Sequence, residues 1–324
     1  PRAFADLSGL EVLNLESNFL RSFPDISTWS NATAINISRN RLAFKDILPN
    51  VDLPIDYAPQ RRFGVTLYDT IDAGENYIVS IDMSGPDLEY QWQFGRYVPG
   101  QPFNNDVYEI PYANSRLYTI EAINYAKMGT FRVDVTHPDV PGLTITGRNK
   151  NLLAKTEVFG TVFADGQGTL LTNGEVVSYR KTPEGPFIAE DTASLQADGT
   201  YSFEAAILGD FILSVAPDRT IYPLSEEPGT SNVIQTYYEQ ADLFDSAKTL
   251  EVRRRIDSID IQMLFYQVPV EDPTGADFFG EVFSDFDETS GEDEEGSGRI
   301  NARRKVKKAA CSVRRFVPRG RTDQ

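Results

Sequence analysis

Two stretches of the chain repeat one apolar phase 22 residues apart. Leu10, Leu13, Leu15, Asn18 and Leu20 fill the spaced positions of L-x-x-L-x-L-x-x-N-x-L, and Ala32, Ile35, Ile37, Asn40 and Leu42 fill them again. Leu7 is echoed by Trp29. A period of this length marks a unit that stacks on copies of itself, because one unit alone has nothing to bury its apolar side against. Stability then takes about three or more units, and two are visible. The chain opens on Pro1-Arg2-Ala3 in mid-phase. The expectation is a piece of a longer protein that starts with the tail of a solenoid. Asn18 and Asn40 should bond backbone groups in the turns between coils.

Composition sets limits on the rest. At 324 residues the chain has room for two or three domains. It has no run of about 18 apolar residues, the length a membrane-spanning helix needs. The net charge is −17, from 31 basic and 48 acidic residues. Ten of the basic residues and one of the acidic ones follow Gly298, which leaves residues 1–298 at −26. So acidic a body repels nucleic acid and anionic lipid and favours cationic partners. A single cysteine, Cys311, rules out an intrachain disulfide. Secreted eukaryotic β-proteins usually carry several, so the expectation is a bacterial or cytosolic product.

From about Phe63 the apolar period drops to two. Leu88, Tyr90, Trp92 and Phe94 alternate with polar residues, as do Phe131, Val133 and Val135. Such alternation turns one face to a core and the other to water. Pro54, Pro59 and Arg61-Arg62 read as a connector before this region. In the second half, Tyr201 and Phe203 alternate, then Phe211, Leu213 and Val215, then Ile259, Ile261 and Met263. Asn173-Gly174 and Asp198-Gly199 read as hairpin turns, because both residue types tolerate positive φ.

These patterns resemble known families. The two N-terminal units resemble leucine-rich repeats over residues 1–52. The order Tyr90-x-Trp92, a turn at Val98-Pro99-Gly100, Leu117-Tyr118-Thr119-Ile120 and Gly129 to Val133 resembles an immunoglobulin-like domain over 62–153. There Trp92 fits the core tryptophan, and Val133 stands where a cysteine is usual. The stretch Asp198 to Phe203 followed by Leu208 to Leu213 resembles the carboxypeptidase-regulatory-like family, a prealbumin-like β-sandwich, over 155–267. Phe279 to Phe283 repeats that module's opening strand and implies a truncated second copy over 276–324. The fold class is therefore mostly β: a leucine-rich repeat tail followed by an immunoglobulin-like β-sandwich and a prealbumin-like β-sandwich. Together these modules look like parts of large bacterial surface proteins.

The side chains that usually carry catalysis are scarce. His137 is the only histidine, while a carboxypeptidase-type zinc site needs two with a carboxylate. No G-x-S-x-G elbow is available to pair with it, so His137 reads as a turn residue. Cys311, between Ala310 and Ser312 in a basic stretch, reads as a bystander. The run from Asp285 fails the calcium-loop pattern because Ser290 stands where glycine is required. Arg303 to Lys308 lacks the aromatic interleaving of a nucleic-acid reader. The expectation is no catalytic residue, cofactor or metal, no nucleic acid and no membrane span. Candidate sugar-stacking rings are Trp29, Tyr90, Tyr97, Tyr108, Tyr112, Tyr118, Tyr222, Tyr237 and Tyr238.

The best interaction surface is the strand face of the repeats, because alternate side chains of a solenoid strand project from a rigid curve. Val12, Asn14 and Glu16 fill its outward positions in the first unit, and Ala34, Asn36 and Ser38 in the second. The resulting reading is a non-catalytic extracellular or cell-surface protein of bacterial type. It would bind a protein or glycan ligand for recognition, adhesion or display. The alternative is a set of accessory modules from a secreted glycoside hydrolase or peptidase whose catalytic domain lies elsewhere.

Overall fold

The computed structural model describes residues 7–165, 167–182 and 187–270. The expected truncated module at 276–324, Cys311, the acidic run from Asp285 and the basic run Arg303 to Lys308 lie outside the described residues.

Three short parallel strands open the fold: β1 (Val12–Asn14), β2 (Ala34–Asn36) and β3 (Ile55–Asp56). Val12 pairs with Ala34 at the 22-residue period, and Ile35 pairs with Ile55 at a period of 20. The ladder continues past the strands, with Leu15 N–H donating to Asn36 O at 2.8 Å and Ile37 N–H to Asp56 O at 2.8 Å. The segment read as a connector is thus a third stacked coil. Its signal was hidden because Pro54 and Pro59 read as breakers and Gln60 stands in the asparagine position. The Gln60 amide does the same work, donating to Ile37 O at 3.0 Å while its oxygen accepts from Leu42 N–H at 3.2 Å. Ile26, Trp29, Ile37 and Leu42 bury inside the stack together with Phe44 and Ile47 of a short helix α1 (Phe44–Ile47).

The first sandwich is built from β4 (Leu67–Asp72), β5 (Tyr77–Ser80), β6 (Glu89–Arg96), β7 (Tyr108–Glu109), β8 (Leu117–Ile120), β9 (Gly129–Thr136), β10 (Ile145–Thr146) and β11 (Lys150–Phe163). One sheet runs β4, β11, β9, β6, β7, with β10 also on β9. The β4–β11 pair is parallel and the others antiparallel. The facing sheet is β5 with β8. This pairing of neighbours is an immunoglobulin-like sandwich. Trp92 sits fully buried between the sheets, opposite Val133, and its Nε1–H donates to Ser115 O at 2.8 Å. The Val133 side chain fills the usual cysteine position by packing. On the outer face of the same strands, Gln93 bridges Arg132 and Asp134, and Thr146 closes on Asp134 at 2.7 Å.

The second sandwich comprises β12 (Gly174–Arg180), β13 (Ile188–Ser194), β14 (Thr200–Ile207), β15 (Gly209–Pro217), β16 (Ser231–Ile234), β17 (Thr236–Tyr237), β18 (Leu250–Val252), β19 (Ile261–Gln262) and β20 (Leu264–Gln267). One layer runs β13, β12, β15, with β17 and β18 also on β15; β16 pairs with β20. The facing layer is β14 and β19 on either side of β11. Val158, Val162, Tyr201, Phe203, Phe211, Leu213 and Val215 bury between the layers, as the alternation implies. The turns at Gly174 and Gly199 are not hairpins. Gly199 (φ 73°) carries the chain from β13 in one layer to β14 in the other, and Gly174 opens β12 after a bridge on the opposite layer. A turn signal marks a reversal but not the sheet in which the next strand pairs.

The 14-residue strand β11 belongs to both sandwiches. Residues 150–155 pair in the first and 155–163 in the second, with a register irregularity between Thr156 and Val158. It runs unbroken through residue 154, where the sequence reading puts the junction between 62–153 and 155–267. Gly160 sits so close to Ile259 that a Cβ would lie 1.9 Å from the Ile259 carbonyl oxygen, which explains the glycine at mid-strand.

Two outcomes follow from this packing. Trp92→Ala removes the largest buried ring of the first sandwich and should cost ~3–5 kcal/mol; an unchanged urea midpoint would refute that role. The second concerns alkali. Burial first, then a hydrogen bond to Asp69 and its charge, push the Tyr77 phenol up to about 12, against about 10 in an unfolded chain. Burial also raises Tyr90, Tyr201, Tyr237 and Tyr238. The folded state therefore holds these protons more tightly. For Tyr77 that stabilisation is complete below about pH 10 and is lost as pH rises through about 12. Urea midpoints taken across this window should fall less steeply for Tyr77→Phe than for the parent chain.

Candidate functional site

The candidate surface is the strand face of the three coils. A strand packed on one side buries one row of side chains and shows the other, so Leu13 and Ile35 point inward while Val12 and Ala34 point out. Val12 is 63% exposed, and Asn14 and Ala34 are exposed with it. Asn36 is half-buried and donates to Glu16 Oε2 at 3.3 Å. Glu16 also faces Arg39 Nε at 3.6 Å. Ser38 corrects the expected set: it is 4% exposed, and its hydroxyl donates to Asn36 Oδ1 at 2.8 Å. It is a bracing residue under the face and is closed to a ligand. The structure thus brings five of the six expected residues together on one accessible patch.

The patch is rigid because the turns beneath it are bonded from within. Asn40 is fully buried, and its amide reaches Leu15 O at 2.8 Å, Ile37 O at 3.0 Å and Ser38 O at 3.1 Å. Its Oδ1 accepts from Leu20 N–H at 3.1 Å, tying one coil to the next. Asn18 makes the equivalent turn bonds to Leu15 O and Glu16 O but is exposed. Ser17 and Arg39, one period apart, both hold left-handed backbone at φ 57° and 56°. The repeat therefore extends to the backbone conformation of the turn.

Sequence reasoning missed the third coil's contribution to this face and the aromatic stack at its edge. Asp56 is exposed beside Asn36, and the exposed Phe19 ring lies under the Arg41 and Arg61 guanidinium groups at 5.1 and 4.5 Å. Arg61 belongs to the stretch read as a connector, so its place over Phe19 was not legible. Of the candidate sugar-stacking rings, Trp29 is buried, and Tyr108 and Tyr112 are exposed. Tyr90, Tyr97, Tyr118, Tyr222, Tyr237 and Tyr238 are half-buried. His137 is buried in a turn, with Nδ1 accepting from Asp139 N–H at 3.1 Å and its ring 5.9 Å from Phe44. Among the described residues, no group of three or more His, Cys, Asp and Glu side chains is gathered as a metal site would need.

No family model matches the sequence, and no curated protein matches it. Solved structures that align with it include the N-terminal four Ig domains of Dscam1 isoform 6.9, at 11% identity over 47% of this chain and 40% of that one, with a TM-score of 0.23. Three N-terminal domains of the bacteriophage RB49 highly immunogenic outer capsid protein align at 12% identity over 60% of this chain and 67% of that one, with a TM-score of 0.20. Domains 3 and 4 of rat CD4 align at 10% identity over 48% and 94%, with a TM-score of 0.22. The chain spans about two fifths of the Dscam1 structure's length. The immunoglobulin-like description of the first sandwich rests on its own strand pairing.

The bonds at Asn40 lead to a direct test of the turn. Asn40→Ala leaves the Leu20 N–H without its acceptor and removes three amide bonds, although Leu15 O, Ile37 O and Ser38 O each keep a second donor. Leaving a buried polar group unpaired costs ~1–3 kcal/mol. The coil stack should lose more stability from Asn40→Ala than from Asn18→Ala, read as faster amide exchange over residues 12–60. Equal effects would mean that the ladder does not hold the stack.

Proposed function

We propose that this chain is a non-catalytic recognition or display segment of a bacterial cell-surface or secreted protein. In this reading the N-terminal coils are the end of a leucine-rich repeat solenoid, and the second sandwich is a carboxypeptidase-regulatory-like module. The parallel registers of 22 and 20 residues and the internal bonds of Asn40 and Gln60 support the first assignment. The alternation of Tyr201, Phe203, Phe211 and Leu213 into one buried layer supports the second.

The observation that carries the functional reading is the open strand face of the coils. Val12, Asn14 and Ala34 stand on a backbone fixed by buried amide bonds, so a ligand docking there meets a preorganised surface. The ligand class is a protein or a glycan on another surface. No helix is long and apolar enough to cross a membrane among the described residues.

A fluorescently labelled chain should bind intact cells that display the ligand, measured by flow cytometry. Val12→Glu with Ala34→Glu should abolish that binding while leaving the thermal midpoint unchanged, since both side chains are exposed. Undiminished binding by the double variant would remove the strand face from the function. Turnover of peptide, ester or glycoside substrates, lost on mutating one specific residue, would overturn the non-catalytic reading.

A further inference from the structure

A cleft of about 830 Å³ opens between the coil stack and the first sandwich. The two bodies that form its walls are fastened together. Tyr57 Oη donates to Pro141 O at 2.9 Å, Phe63 N–H to Thr146 O at 2.9 Å, and Arg148 N–H to Phe63 O at 2.8 Å.

The cleft reverses the charge of the molecule around it. Arg21, Arg41, Lys45, Arg62, Arg148 and Lys150 line it, against the carboxylates of Asp46 and Asp82 alone. Asp46 is buried and already accepts from Ala43 N–H at 3.0 Å. Among the described residues none of the six cations makes an ion pair, while Arg39, Lys155, Arg180, Lys248 and Arg253 all do. Among the described residues the Arg62 side chain donates only to the Asn149 amide oxygen, and the Lys150 side chain only to the Val65 carbonyl. Burial pulls the Lys150 ammonium below its usual range, with Asp69 offsetting part of that. In a chain of net charge −17, carboxylates for pairing are in surplus, yet among the described residues these six cations converge without an ion pair. Mutual repulsion of that kind is relieved by an anionic ligand. The half-buried Leu88, with the buried Ile81 and Met83, lines the cleft as its apolar floor.

We propose that this cleft docks a carboxylate-rich peptide segment of a partner protein. An extended peptide points alternate side chains to opposite sides. Acidic residues on one side then meet the cations, and apolar residues on the other reach the floor. A sulfated polysaccharide would satisfy the cations but would leave the floor unused.

The test titrates the full chain with two probes, a short synthetic peptide alternating Glu with Phe and a size-matched heparin fragment, by fluorescence anisotropy. The peptide should bind more tightly than heparin. Arg21→Glu, Lys45→Glu and Arg148→Glu together should weaken peptide binding by at least about tenfold, or ~1.4 kcal/mol. These three side chains are exposed and have no partner among the described residues, so the thermal midpoint should hold. A control reversing Lys181, Arg254 and Arg255 on the second sandwich should leave binding unchanged. Three results would each overturn the proposal: no peptide binding by the parent chain, preference for heparin, or equal weakening in both variants.

Discussion

The ladder along β11 is the constraint on which the rest depends. This one strand pairs with β4 and β9 in the first sandwich and with β14 and β19 in the second. Leu152 and Ala154 bury in one core, and Val158 and Val162 in the other. Because side chains alternate at a period of two, its register in one sandwich fixes which residues face the core of the next. The irregularity between Thr156 and Val158 falls where the strand passes from one set of partners to the other. The coil stack joins the same framework through Phe63, whose backbone bonds Thr146 and Arg148 immediately before β11 begins.

Local periodicity was legible in the sequence, while partner choice was not. The 22-residue phase placed β1, β2 and the Asn40 turn because each depends on residues close in sequence. The period-two runs placed Trp92, Phe131 and Val133 in one core for the same reason. The third coil escaped because two prolines and a glutamine replaced the expected signals, although Gln60 can make the same amide bonds. The turns at Gly174 and Gly199 were seen, but their pairing depends on strands far along the chain.

The same distinction applies to surfaces. The outward positions of β1 and β2 follow from strand geometry, so Val12, Asn14 and Ala34 could be named in advance. Ser38 could not be separated from them, because its burial comes from the turn closing over it. The cleft was hidden more completely. Its cations run from Arg21 to Lys150, spread over segments that individually look unremarkable, and whole-chain charge pointed the other way. Only the docking of the coils against the sandwich gathers them.

The parallel pairing of β4 with β11 has a mechanical consequence. These are the first and last strands of the first sandwich, matched from Leu67–Lys150 to Asp72–Lys155. Tension along the chain enters at the start of one and leaves at the end of the other, so it slides two parallel strands past each other. The ladder bonds between them then carry the force together and cannot be unzipped one at a time. A segment held at one end and loaded at the other would resist extension first at this pair, and β11 would carry the load directly into the second sandwich.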